Sequence, residues 1–206
     1  MVEVLYISWK DVIELCYKLA KDIAQSDFEP DSIVAVLRGG VVPALLLSDI
    51  LGIEEFYAIR VKHWGIAEEV YVTPIVDQLP QRKLQGVKVL IVDEVADTGK
   101  TLTKAVDELK KLGASEVKTA VLHLKSSSTL IPDYYAVKLE KWVWIFYPWS
   151  LAETLFALAY RELGPSANVN DIIKEIERLV DFLDIEFYRR DVVETALKYY
   201  IKKKSR

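Results

Sequence analysis

The stretch Val89-Leu90-Ile91-Val92-Asp93-Glu94-Val95-Ala96-Asp97-Thr98-Gly99-Lys100-Thr101 constrains the fold more than any other part of the chain. Four apolar residues in a row, without polar alternation, mark a strand buried on both faces. The run ends in carboxylates, and the Thr-Gly-x-Thr turn opens a helix predicted over Gly99–Leu112, stopped by Gly113. A further strand follows at Val117–Leu122. The same order occurs earlier, with a strand at Ile33–Leu37, the turn Arg38-Gly39-Gly40, a helix through Ala44–Leu51 and a strand at Phe56–Val61. Strands buried on both sides and joined through helices imply a parallel sheet with right-handed crossovers.

The remaining segments fill in around this unit. Ser8 can cap a first helix with Asp11 at its third position, and Val12, Ile13, Leu15, Cys16, Leu19, Ala20 and Ile23 recur at helical spacing. Residues 62–85 break the pattern with Gly65, Pro74 and Pro80, which predicts a long connection with a short hairpin around Val70–Val76. Strand-like pieces follow at Tyr134–Leu139 and Trp142–Tyr147. Gly164-Pro165-Ser166 marks a boundary, giving a domain over residues 1–164 and a helical C-terminal extension over 165–206. The extension carries helices at Val169–Leu183 and Asp191–Lys203, with Phe182, Phe187, Tyr188, Tyr199 and Tyr200 available for packing.

Composition removes several function classes. At 206 residues and a net charge of −4, the chain can bury a core but has no basic excess for nucleic acid. Its longest uncharged stretch, Trp142 to Ala152, has 11 residues and cannot span a bilayer. A lone cysteine, Cys16, on an apolar helical stripe forms no internal disulfide and fits a reducing cytoplasm.

The chemistry concentrates at residues 93–101. Asp93 and Glu94 arrive at the C-terminal edge of a buried strand, where ligands of open α/β sheets bind. The turn after them offers backbone N–H groups, two hydroxyls and a positive helix end, which suit a phosphate. Gly99-Lys100-Thr101 mimics the end of a nucleotide-triphosphate loop, but that motif needs glycine at position 94, where this chain has glutamate. A plain helix cap by Asp97 or Thr98 would explain those two residues and leave Asp93 and Glu94 unexplained.

Four apolar residues, two acids, two small apolar residues and Asp-Thr-Gly-x-Thr resemble the phosphoribosyl-pyrophosphate signature of type I phosphoribosyltransferases, with Glu94 where the family usually has aspartate. Arg38-Gly39-Gly40 is similar to the family's pyrophosphate loop, and residues 62–85 stand where the family has its mobile catalytic loop. Lys125, with Trp144 following 19 residues later in Trp144-Ile145-Phe146-Tyr147-Pro148-Trp149, looks like the base-binding end of the bacterial xanthine-guanine type.

The resemblance implies an α/β type I phosphoribosyltransferase fold, a parallel sheet flanked by helices with a small hood. It implies transfer of 5-phosphoribose from phosphoribosyl pyrophosphate to a purine, releasing pyrophosphate, with Mg2+ and commonly a homodimer. Carried over by residue, Asp97 manages the purine proton, and Asp93 and Glu94 hold ribose hydroxyls or metal, directly or through water. Asp97, Thr98, Gly99, Lys100 and Thr101 grip the 5′-phosphate, and Arg38, Gly39 and Gly40 meet the pyrophosphate. Lys125 donates to the purine 6-oxygen, Trp144 stacks on the base and Ile145 offers its backbone; Trp142 and Trp149 read as core or interface aromatics. A 6-oxopurine substrate is favoured because an ammonium wants an acceptor. An adenine-specific enzyme and a non-catalytic sensor of phosphoribosyl pyrophosphate are the alternatives.

Overall fold

The computed structural model describes residues 3–62, 74–81 and 83–204. In chain order the elements are β1 (Val4–Tyr6), α1 (Trp9–Ala24), β2 (Ser32–Leu37), α2 (Val41–Leu51), β3 (Phe56–Lys62) and β4 (Ile75–Gln78). They continue as β5 (Lys88–Ala96), α3 (Lys100–Lys111), β6 (Glu116–Lys125), β7 (Tyr134–Leu139), β8 (Trp144–Phe146), α4 (Leu151–Leu163), α5 (Val169–Leu183) and α6 (Arg190–Lys204). The chain packs as two compact units, one of residues 9–142 and one of residues 1–8 with 143–206.

The first unit is a six-stranded sheet in the order β4-β3-β2-β5-β6-β7. All its neighbours are parallel except β3 and β4. Parallel strands need covering on both faces, and the helices supply it. α1 and α2 pack on each other, α1 over β6 and β7 and α2 over β2 and β5. α3 packs over β3, β5 and β6, where Leu102, Ala105 and Leu109 close a core with Val34, Ile59, Val89, Ile91 and Val121. The strand runs expected at 33–37, 56–61, 117–122 and 134–139 all lie in this sheet.

Two expectations change. Residues 63–73 and 82 of the long connection, with most of the hairpin expected at Val70–Val76, lie outside the described residues; within the rest, β4 at Ile75–Gln78 runs antiparallel to β3. β5 does not stop at Val92; its ladder with β6 continues through Ala96 opposite Leu124, so Asp93 and Glu94 sit within the strand. The strand expected over Trp142–Tyr147 shortens to Trp144–Phe146 and leaves the main sheet, pairing in parallel with β1.

In the second unit the β1–β8 ribbon accompanies α4, and α4 packs on α5 and α6. Phe146 and Phe156 are fully buried, Tyr6 meets Phe146 edge-on at 5.4 Å, and Phe156 stacks with Tyr200 at 5.4 Å. α5 is capped by Asn168, whose side chain accepts the Asp171 amide at 3.0 Å. The helix spans the residues expected from sequence, Val169–Leu183, and buries a face of Ile172, Ile173, Ile176, Leu179 and Val180. Of the C-terminal aromatics, Phe187 faces Tyr6 and Tyr200 faces Phe156, whereas Phe182 and Tyr199 stay exposed.

Candidate active site

β2, β5 and β6 are parallel neighbours, so their C-terminal ends open on one edge of the sheet. That edge collects most of the chemistry-bearing residues. β2 ends into Arg38-Gly39-Gly40, β5 ends into Asp97–Gly99, and β6 ends at Lys125.

The first part of the site is a close approach of the turn after β2 to β5. A methyl group on Gly39 would overlap the Glu94 carboxyl group, and one on Gly40 would overlap the carbonyl oxygens of Val36 and Val92. The two glycines therefore let the turn after β2 lie directly against β5, and the arrangement fixes Glu94 beside that turn. Arg38 stands exposed at the turn. Asp93, by contrast, is buried at 9% exposure and accepts a hydrogen bond from the Glu94 amide at 2.8 Å. Burial, with the neighbouring Glu94 charge adding to it, holds its carboxyl well above the usual carboxylate range.

The second part lies around Gly99. This residue has φ of 81°, in the left-handed region that favours glycine, and precedes α3 with no side-chain cap. The helix thus begins from Gly99 rather than from a side-chain cap by Asp97 or Thr98, and the amides of its first turn face the end of β5. A methyl group at Gly99 would overlap Leu130 and the Ser128 hydroxyl, because the segment after β6 folds over this turn. Thr129 fastens the two together, donating to the Thr98 carbonyl from its amide at 3.1 Å and from its hydroxyl at 3.0 Å.

Asp97 is the joint between the parts. Lys125 Nζ donates to Asp97 Oδ2 at 2.8 Å, and the Ser127 hydroxyl lies 3.0 Å from Oδ1 and 2.9 Å from the Asp97 carbonyl oxygen. Both carboxylate oxygens are thus gripped from one short segment. The Lys125 side chain is only 6% exposed, that of Asp97 22%. Trp142 lays its ring over the same ammonium, 4.5 Å from Nζ to the ring centroid. His123, two residues before Lys125, is buried, and that burial, with the Lys125 charge adding to it, lowers its pKa to about 4.

The structure gathers Arg38, Gly39, Gly40, Asp93, Glu94, Asp97, Thr98, Gly99, Lys100, Thr101 and Lys125 in the unit of residues 9–142. It does not place Trp144 and Ile145 there. They lie half-buried on β8 in the other unit, opposite Val4 and Leu5 of β1. Sequence reasoning did not find Ser127, Thr129 or His123, and it set Trp142 aside. The hydroxyl run Ser126-Ser127-Ser128-Thr129 directly after Lys125 was the available signal for the first two.

A family model described as a phosphoribosyl transferase domain matches residues 6–154. The xanthine-guanine phosphoribosyltransferase of Cereibacter sphaeroides is 34% identical over 59% of this chain and 70% of its own length. Xanthine phosphoribosyltransferase 1 of Saccharomyces cerevisiae is 32% identical over 71% of this chain and 90% of its own. Among solved structures, a purine phosphoribosyltransferase from Pyrococcus horikoshii is 39% identical and superposes with a TM-score of 0.63, covering 71% of this chain and 94% of that one.

Proposed function

The chain belongs to the phosphoribosyl transferase domain family, and on that premise we propose that it transfers 5-phosphoribose from phosphoribosyl pyrophosphate to a 6-oxopurine, releasing pyrophosphate and a nucleoside monophosphate. The observation that carries the reading is the Lys125–Asp97 pair at 2.8 Å, a buried lysine on a half-buried carboxylate, standing where the turn into α3 begins. A 6-oxopurine presents an acceptor at O6 and a ring nitrogen that exchanges a proton close by. An ammonium and a carboxylate held side by side complement that edge. Adenine would turn an amine donor toward the ammonium instead. Relatives that carry xanthine-guanine and xanthine in their names agree with this preference.

In this reading the amides at the start of α3, with the hydroxyls of Thr98 and Thr101 and the Lys100 side chain, hold the 5′-phosphate. Arg38 and the amides of Gly39 and Gly40 receive the pyrophosphate as negative charge grows on it. Asp93 and Glu94 face the ribose hydroxyls. Asp97 takes the proton that the purine gives up as its ring nitrogen bonds to the sugar C1.

The carboxylates also bear on a metal. Among the described residues no group of three or more His, Cys, Asp or Glu is clustered to hold a metal ion. Two adjacent carboxylates suit Mg2+ in its usual manner, where substrate phosphates and waters supply most of the ligands. Asp93 and Glu94 are the residues that would hold it, directly or through water. Bound there, it supplies positive charge against the departing diphosphate. Asp93, pushed toward its protonated form by burial, becomes a better carboxylate once such a cation is near.

The enzyme is proposed to work in the cytoplasm as a homodimer. No described helix is long and apolar enough to cross a membrane. Ile13 and Tyr17, one turn apart on α1, are exposed apolar side chains available to a second copy; light scattering measures the mass. The reaction itself is tested by incubating the protein with phosphoribosyl pyrophosphate, magnesium and each of guanine, hypoxanthine, xanthine and adenine. Nucleotide formation from the three oxopurines is expected. No turnover with any base ends the proposal, and a preference for adenine overturns its base assignment.

A further inference from the structure

Trp142, read from sequence as a core or interface aromatic, lies outside the core of its own chain. Its side chain is 49% exposed, on the segment after β7, yet it covers the ammonium of a lysine that is 5% exposed. Among the described residues the partners of that ammonium are Asp97, at 2.8 Å, and the Trp142 ring, at 4.5 Å from its centroid. An indole face attracts a cation through its quadrupole without accepting a directed hydrogen bond. The carboxylate engages one N–H, and the ring occupies a second side while leaving hydrogen-bonding capacity intact.

We infer that Trp142 is a positioning residue for base recognition, its ring face pinning the Lys125 ammonium against Asp97 so that the remaining N–H is presented to an acceptor on the base. A lysine head on four rotatable bonds carries much rotamer entropy. Held by a carboxylate alone, it can pivot about that single contact. Pinned from two sides, it meets the base already oriented, so ordering is not charged against binding. The same restraint works against a base with an amine at this position, because the ammonium cannot turn away from it. This role deepens the 6-oxopurine reading and rests on it.

The test is steady-state kinetics on the full chain with guanine, adenine and phosphoribosyl pyrophosphate, comparing wild type with Trp142→Leu and Trp142→Phe. Leucine keeps apolar cover without the ring face. The leucine variant should raise the KM for guanine about 3- to 30-fold and narrow the preference for guanine over adenine. The KM for phosphoribosyl pyrophosphate and kcat should stay near wild type. Phenylalanine, with a weaker ring face, should fall between. In parallel, NMR of the Lys125 Cε–H resonances should show an upfield ring-current shift in wild type that Trp142→Leu abolishes.

An unmoved guanine KM in an active Trp142→Leu enzyme removes the role and leaves the function standing. Equal rises in both KM values make Trp142 merely structural, which also removes the role. Absence of the ring-current shift disproves the contact whatever the activity. A wild type inert with every base removes the function and this inference with it.

Discussion

The proposed phosphate end and the proposed base end of this site use different materials. Around Arg38–Gly40 and Gly99 the geometry is set by missing side chains: three glycines admit a neighbouring segment, backbone at Gly40, the Glu94 carboxyl group at Gly39 and both backbone and side chains at Gly99, where a single methyl group would collide. Around Asp97 it is set by side chains that grip one another, Lys125 and Ser127 on the carboxylate and Trp142 on the ammonium. A diphosphate and a 5′-phosphate are recognised through many equivalent donors, so backbone amides suffice. A purine must be told from its analogues by one substituent, which needs a charge with a direction. The first end should therefore fail when bulk is added, the second when a polar atom is changed.

The largest effect is expected at Asp97. Replacing it by asparagine keeps the shape but removes the proposed proton acceptor and the partner charge of Lys125. Turnover should fall about 100-fold or more, while the Kd for phosphoribosyl pyrophosphate, read by calorimetry, changes little. Weakened sugar-phosphate binding with turnover retained would assign Asp97 to the phosphate end instead.

Adding one methyl group at Gly99 is the matching break on the other side. Alanine there must accept φ of 81° and meet Leu130 and Ser128. The backbone conformation alone costs about 1–2 kcal/mol for a residue with a Cβ. Gly99→Ala should raise the KM for phosphoribosyl pyrophosphate about 10-fold or more and lower the melting temperature. An effect confined to the KM of the base would invert the comparison.

The same contrast governs what could be seen in the sequence. The phosphate end is contiguous: Asp93 to Thr101 and Arg38 to Gly40 are two short words, each at a strand end, and both stand out before any fold is known. The base end is assembled across strands. Ser127 reaches Asp97 only because β6 runs beside β5 in the register that sets Ala96 opposite Leu124. Trp142 reaches Lys125 only through the course of the chain around β7. Neither follows from local spacing. The fold shows the same divide. Strands such as Ile33–Leu37 announce themselves by unbroken apolar runs. β1 has three residues, too few for a pattern, and α4 buries six consecutive residues from Thr154 to Ala159, which erases the helical periodicity that exposed α5.

Proton linkage should separate the two ends with opposite signs. His123, on the base side, falls from 6.5 to about 4 through burial, so the unfolded chain binds more protons between those values. Stability is therefore present above pH 6.5 and lost as pH falls toward 4, by roughly 2–3 kcal/mol at the lower limit. Asp93, on the phosphate side, is raised above its ordinary 3.8, so the folded chain holds the extra proton. Its contribution is lost as pH rises through the folded value. Urea unfolding of wild type against His123→Gln should show the difference only in acid. Melting without ligands of Asp93→Asn against wild type should show a gain of about 2–6 °C near pH 8 that vanishes near pH 4. Parallel pH curves for either pair would show that the buried group does not titrate as its surroundings require.

The smallest effect belongs to Ser127, and it separates gripping from mere contact. Its hydroxyl spans the Asp97 carbonyl oxygen and Oδ1, so alanine removes one restraint on the carboxylate while Lys125 still holds the other oxygen. A hydrogen bond to a charged group is worth about 1.5–3 kcal/mol when buried, and less here because Ser127 is exposed. Ser127→Ala should therefore lower kcat about 3- to 10-fold with both KM values near wild type, and Ser127→Thr, which restores the hydroxyl, should recover most of it. Because the base end depends on directed polar atoms, threonine's added methyl group should be tolerated here, whereas the methyl group of alanine at Gly99 should not. A threonine variant as slow as alanine would mean that space, not the hydroxyl, sets the geometry at this end too, and the distinction between the two ends would collapse.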